Sequence, residues 1–359
     1  MSLVRLAVAW TLVVVAFAAP NLVTDASKDL GQAALLFVPV LGVVMWCAFG
    51  VVESADTLAE QLGEPYGTLL LTLAIVLIEV ALIGAVMLGT DDPTLGRDTM
   101  FAVLMIVLDG VVGLGLIIGG WRYGAQAYNL EGASAFLAVT LPLAVIALVL
   151  PNFTTTTETG TLSVGQSIAF AIFTLLLYGT FLLLQTSTLR DFFVMPGPAP
   201  DEEEHAPASA PLWVDVALLA ANLLPVVLLA KSLAKLLDAM LATLHLPSAL
   251  GGVIIALIVF TPEGLAALRA VSLNRMQRTI NLCLGAAAST IGLTVPVLLL
   301  LGVFTGQKIV LGLVPSQMVL LMLTLILSIL TFTGRRTTAL NGAMHLGVFL
   351  IFLTLIFSP

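Results

Sequence analysis

Residues 67–89 read GTLLLTLAIVLIEVALIGAVMLG, 23 residues with one ionisable group, Glu79, near the middle. A helix of that length and apolarity is long enough to cross a bilayer. A carboxylate at that depth is costly and by default marks an ion or proton pathway. The stretch has a counterpart: residues 251–267, GGVIIALIVFTPEGLAA, are again apolar, and Glu263 follows Gly251 by 12 residues, as Glu79 follows Gly67. Two membrane helices with an acid at the same offset predict a duplicated unit that brings two carboxylates together at the bilayer midplane.

The composition agrees. Of 359 residues, 60% are hydrophobic and 9% charged, against about 25% charged in a soluble domain, so an all-α polytopic membrane protein is expected. The net charge of −8 argues against nucleic acid as a partner. Cys47 and Cys283 lie in apolar runs without CxxC or His spacing and read as packing residues. No HExxH, GxSG with a partner His, or GxGD motif occurs, and His205, His245 and His345 are scattered, so an intramembrane enzyme is disfavoured. No cofactor is expected, and no feature of the sequence sets an oligomeric state.

Eleven transmembrane helices are expected. A leading helix (1–22) resembles a signal peptide in its small-residue end but reads better as retained, because membrane sequence follows throughout. The spans 33–52, 67–89, 99–119, 131–150 and 162–185 make a first five-helix repeat over 33–189. The spans 213–229, 249–269, 281–303, 316–332 and 340–357 make a second over 212–357. Between them, 190–211 holds five prolines around DEEEH (201–205), too polar to fold alone, and reads as an acidic Pro-rich cytoplasmic hinge. An odd number of spans per repeat forces opposite orientations, the 1 + 5 + 5 inverted-topology plan of secondary transporters. Arg5, Arg122, Arg190, Arg269, Arg275, Arg278, Arg335 and Arg336 fall on the N-terminal side, against Lys28, Arg97, Lys231, Lys235 and Lys308 on the other. That excess places the N-terminus in the cytoplasm.

Polar side chains near the two acids are the candidate ligands. Thr72 and Thr68 precede Glu79 by 7 and 11 residues, within about 20° of its face at 100° per residue, and oxygen ligands suit a hard cation. In Thr261-Pro262-Glu263 the proline removes a helical donor and frees a carbonyl at an expected break in the helix. Asn274, Gln277 and Asn281 are spaced to share a helical face, and Ser289 follows; each reads as a supporting ligand or as interhelical glue. Gly285 and Gly292 read as a packing seam. Asp109, before Gly110, Gly113, Gly115, Gly119 and Gly120, is a third polar group near the pathway or an interhelical hydrogen-bonding group. His345, four residues after Asn341, reads as a hydrogen-bonded structural residue before it reads as a proton carrier. Glu53, Asp56, Glu60 and Glu64 form either a solvated connection or a cation-attracting vestibule.

Three stretches together resemble the ChaA-type calcium/proton and sodium-potassium/proton antiporters of the cation/calcium exchanger superfamily: ESADTLAEQLGEPYGTLLLTLAIVLIEVALI (53–83), TPEGLAALRAVSLNRMQRTINLCLGAAASTIGLTVP (261–296) and TGRRTTALNGAMHL (333–346). The resemblance implies an eleven-helix fold in a bacterial inner membrane, with one acid from each repeat, Glu79 and Glu263, binding the cation in exchange for protons. Better-known calcium/proton exchangers carry Gly-Asn shortly before each acid; here those positions are Ile75-Val76 and Val259-Phe260, and Ser289 replaces a usual Gln. Fewer amide ligands leave room for Na⁺ or K⁺ beside Ca²⁺. The expected function is therefore cation/proton antiport by alternating access, with a cation channel or uniporter lacking obligatory proton exchange as the rival.

Overall fold

The computed structural model describes residues 2–62, 66–89, 92–194, 211–334 and 336–358, without the side chains of 2, 59, 60, 66–73 and 75. The acidic run 201–205, Glu60 and the ligand candidates Thr68 and Thr72 therefore lie outside the described residues or side chains, as does Glu64. The rest is almost entirely helical, as a bilayer requires of backbone that must satisfy its own polar groups. Two compact units form, and neither follows the sequence halves: Met1–Leu95 joins Glu204–Val259, and Gly96–Glu203 joins Phe260–Pro359.

The first unit begins with α1 (Ser2–Ala18) and α2 (Pro20–Ala26), bent by 84° where Pro20 starts the second helix. Next come α3 (Leu30–Leu62) and α4 (Tyr66–Met87), then, after the hinge, α9 (Leu212–Thr243) and the start of α10 (Ala249–Ser272). Its core is a dry seam between α3 and α9. Val40, Val44, Cys47, Val51 and Ala55 meet Val226, Leu229, Leu233, Leu237 and Leu241, with Ile78, Leu82 and Val86 of α4 beside them. Steps of three and four residues put each set on one helix face. At 33 residues, α3 is about 50 Å long, well beyond the 20-residue span expected at 33–52. It continues through the acidic stretch because Ser54, Ala55 and Leu58 stay buried along the same face. Arg5 of α1 reaches the carboxylate of Glu53, whose side chain stays exposed, at 3.0 Å.

The second unit contains α5 (Leu95–Leu104), a π-helical segment (Met105–Val111) and α6 (Val112–Tyr123), one 29-residue span. A matching 30-residue span in the second half joins α11 (Met276–Ser289), a π segment (Thr290–Thr294) and α12 (Val295–Thr305). The shared interruption is a mark of duplication that residue spacing did not reveal. Completing the unit are α7 (Leu130–Leu148), α8 (Val164–Thr186), the end of α10, α13 (Pro315–Phe332) and α14 (Ala339–Phe357). The glycines after Asp109 serve close packing, and their partner is α14. A Cβ at Gly113 would lie 2.8 Å from the Leu346 backbone nitrogen, and one at Gly342 would lie 2.6 Å from the Gly113 carbonyl oxygen. A two-residue antiparallel ladder, β1 (Gln126–Ala127) with β2 (Arg336–Thr337), is the one departure from an all-helical chain among the described residues.

Among the described residues, nine helices are long and apolar enough to cross a membrane, or ten if the bent pair counts as one span. The expected eleven is not reached. The helix carrying Glu79 stands outside that count, because its described apolar stretch is Val76–Met87.

Candidate functional site

Glu79 lies in the first unit, on α4, 5% exposed and flanked by buried Ile78, Leu82 and Ile83. An apolar helix with one buried acid is what its sequence specifies. Glu263 lies in the second unit, partly buried on α10, directly after Thr261 and Pro262. The expected break at Pro262 does not occur, since α10 runs unbroken from Ala249 to Ser272 with the proline inside it. Proline removes one donor, leaving the Ile258 carbonyl without its usual partner, but membrane helices tolerate that loss. The interruptions fall instead in the π segments of the following spans. Behind Glu263, Thr279 Oγ1 donates to the Ala267 carbonyl at 2.9 Å, holding α11 against α10. Buried Cys283 is close enough to Glu263 to feel its charge.

The amide candidates are used elsewhere. Asn274 is not helical: it sits beyond α10 at φ 59°, where an asparagine is tolerated better than most side chains, and accepts from Gln126 Nε2 at 2.8 Å. Gln277 accepts from the Asn129 backbone at 2.6 Å and donates to Asn281 at 2.9 Å. Asn281 donates to the Phe193 carbonyl at 2.7 Å. These three therefore tie the 124–129 and 190–194 connections to α11. Ser289, 2% exposed, donates to the Ala286 carbonyl of its own helix, at the entry to the second π segment. Gly292 packs against the Tyr178 ring and Gly285 lies near Phe136, the packing seam expected of both. Asn341 serves the capping box of α14 with Thr338 and is not a partner of His345.

Asp109 is bound by groups the sequence reading did not assign to it. Its Oδ1 is 2.7 Å from His345 Nδ1, and its Oδ2 accepts from Thr324 Oγ1 at 2.5 Å. The other ring nitrogen of His345 is 3.1 Å from Thr331 Oγ1. Asp109, His345 and Thr324 are each 0% exposed, and Thr331 is 2%. A signal was present: Thr324, Ser328 and Thr331 recur at spacings of four and three in a helix that is apolar elsewhere beyond its first turn. At the surface, Lys308 pairs with Glu158 and holds that carboxyl below its usual range. The pair borders a cavity of about 510 Å³ that Thr161, Ser167 and Gln307 help to line.

The model of the family described as sodium/calcium exchanger protein matches this chain over residues 32–187 and 214–358. The chain belongs to the sodium/calcium exchanger family. It is 39% identical over 335 residues to the putative ionic transporter y4hA of Sinorhizobium fredii, covering 91% of this chain and 90% of that protein. It is also 39% identical over 321 residues to the sodium-potassium/proton antiporter ChaA of Escherichia coli, covering 88% and 87%. Its fold is that of two solved exchangers. Native YfkE superposes with a TM-score of 0.71 at 17% identity over 99% of both chains. The sodium-calcium exchanger NCX_Mj superposes at 0.57 and 15% identity, over 90% of this chain and 98% of that one. Members of an exchanger family take inorganic ions as cargo, and this chain is a multi-pass membrane protein of that kind.

Proposed function

We propose that this protein is a secondary cation/proton antiporter, exporting Ca²⁺, and Na⁺ or K⁺ where amide ligands are few, in exchange for H⁺. The observation that carries this reading is the 39% identity, over 88% of the chain, to a sodium-potassium/proton antiporter. A more distant relative, 22% identical over 355 residues, is the Ca(2+)/H(+) antiporter of Aphanothece halophytica. We place the chain in a bacterial inner membrane with its N-terminus in the cytoplasm, as the excess of arginine on that side favours. The family match breaks between residues 187 and 214, which supports a hinge at 190–211 between two repeats.

Glu79 and Glu263, one from each repeat, carry the exchanged ions. Removing a carboxylate from water disfavours its charged form. Each is then neutralised by protons or by a cation, and the two occupants exclude one another. If only neutralised forms change their side of access, cation flux is coupled to opposite proton flux. Hydroxyl and carbonyl oxygens on the same helices, which suit hard cations, would complete the ligand set.

Purified protein in liposomes, with a pH dye and each cation tested in turn, decides the reading. Antiport alkalinises or acidifies the lumen when cation is added with the membrane potential clamped, whereas a channel or uniporter follows the potential. Glu79→Gln and Glu263→Gln each abolish exchange while the protein still folds; full antiport by either variant removes these residues from the site.

A further inference from the structure

The second unit buries an acid and a base that the exchange of ions at Glu79 and Glu263 does not use. Asp109 sits in the first π segment, and α13 and α14 close over it. Its two oxygens are held by His345 Nδ1 and Thr324 Oγ1, and His345 Nε2 is held by Thr331. Ser328, on the same face of α13 as both threonines, is 0% exposed, and its Oγ has no hydrogen-bond partner among the described residues.

We propose that Asp109 and His345 form a second proton-binding site, separate from Glu79 and Glu263, whose occupancy sets the pH range over which exchange runs. This rests on the antiport reading above. With His345 neutral, Nδ1–H donates to Asp109, Nε2 accepts from Thr331, and the couple carries one buried negative charge. One more proton, on Nε2, makes the couple neutral overall. The Thr331 hydroxyl then turns from donor to acceptor, a change a hydroxyl rotor makes without moving heavy atoms. Both states are hydrogen-bonded, so the site is built to gain and lose one proton.

The surroundings supply little else to balance that charge. Helix α13 has no charged residue, and α14 has none besides His345. On α5, Arg97 bonds Asp98 and the Gly312 carbonyl, and on α6 Arg122 reaches the Ser272 carbonyl. Helix α11 contributes Arg278 and Cys283, and the end of α10 contributes Glu263 and Arg269. A proton is therefore the ligand this cluster of one carboxylate, one imidazole and three hydroxyls accepts. From Thr324 to Thr331 the hydroxyl face runs about 10 Å along α13 to the helix end, where the Tyr128 hydroxyl bonds the Thr331 and Gly334 carbonyls. His345 also lies on the helix seam, since a Cβ on Gly113 would lie 3.3 Å from His345 Cβ.

The test is the pH dependence of exchange in liposomes for His345→Gln, Asp109→Asn and the double variant. Glutamine still donates to Asp109 but does not titrate. Each variant keeps its maximal rate, while the rate ratio between about pH 8 and about pH 6 falls to about 1, across the range in which histidine titrates. The double variant changes nothing further. An active His345→Gln protein with the parent's pH profile shows a structural clamp only and overturns the proposal. Should the variants not fold, ¹⁵N-histidine spectra of His205→Gln/His245→Gln protein isolate His345, because the sequence has 3 histidines. Ring signals that move with pH sustain the site, and signals fixed from about pH 5 to about pH 8 refute it. That spectrum is decided even if the parent fails to exchange protons, which would sink the antiport reading alone.

Discussion

A buried cluster around Arg5 in the first unit and one around Asp109 in the second differ in kind. In the first, Arg5 of α1 is 5% exposed, donates to Asn222 of α9 at 2.9 Å and pairs with Glu53 of α3. A guanidinium does not lose its proton in a protein, Asn222 is neutral, and the Glu53 side chain is 72% exposed. This cluster has one state: it staples the leading helix to the α3–α9 seam. In the second unit, the proposed proton site pairs Asp109 with His345, and the hydroxyls of Thr324 and Thr331 bond its outer atoms. The first is a fixed fastener, open to solvent at Glu53, and the second is the fully buried couple of the proposed proton site. The difference lies in which side chains are buried.

The two cysteines allow each unit to be read separately. Cys47 and Cys283 are both 0% exposed, one in each unit, so a thiol-reactive dye reports local opening in Cys47→Ala or Cys283→Ala backgrounds. The largest effect is expected at the second unit's helix seam. Gly342→Leu forces a side chain to where 2.6 Å separates its Cβ from the Gly113 carbonyl oxygen, costing about 3 kcal/mol. Labelling at Cys283 rises steeply while Cys47 stays protected; equal protection at Cys283 would mean that α6 and α14 do not need their close approach. Next is Arg5→Ala, which removes a hydrogen bond from a charged donor to buried Asn222 and loses about 2 kcal/mol, with little from the solvent-screened Glu53 pair. Here Cys47 labels faster, Cys283 does not, and the pH profile of exchange is unchanged. If Arg5→Ala alters that profile as His345→Gln does, the fastener is part of the switch and the contrast between the units fails.

Much of this was legible in the residues, and the remainder was not for identifiable reasons. The apolar run around Glu79, its offset match with Glu263 and the glycines after Asp109 announced membrane helices, a duplication and a tight seam, because length and small-residue spacing are local properties. Helix ends were read too short at α3 and α9, where charged residues sit on a helix whose other face remains buried; composition alone cannot separate the two faces. Pro262 reads as a break, but the breaks are π segments at Met105–Val111 and Thr290–Thr294, the second leading into Pro296. His345 and Asp109 are 236 residues apart, and no periodicity links them. The amides at 274, 277 and 281 read as supporting ligands or as glue because their spacing is helical, and spacing names no partner. Their partners, Gln126, Asn129 and Phe193, come from loops far away in the chain.

The smallest expected effect tests whether a proton outside the membrane core behaves as simply as Arg5 does. Tyr128, between α6 and α7, is 5% exposed, packs edge-on to Phe332 with ring centroids 5.9 Å apart, and donates to the Gly334 carbonyl. Burial raises its hydroxyl from 10.0 to about 12, because the phenolate would have to form away from water. A group whose folded value is raised contributes its full stability below the unfolded value and loses it as pH climbs through the folded one. Tyr128→Phe keeps the ring contact and loses the hydroxyl's bonds, about 1 kcal/mol at neutral pH. Thermal unfolding of parent and variant in detergent should therefore differ by a constant amount below pH 10.0, with the gap shrinking above it and reversing before about 12. A gap that stays constant through that interval would mean that the hydroxyl ionises in the fold as freely as in the unfolded chain, and that this end of α13 is wetter than its burial indicates.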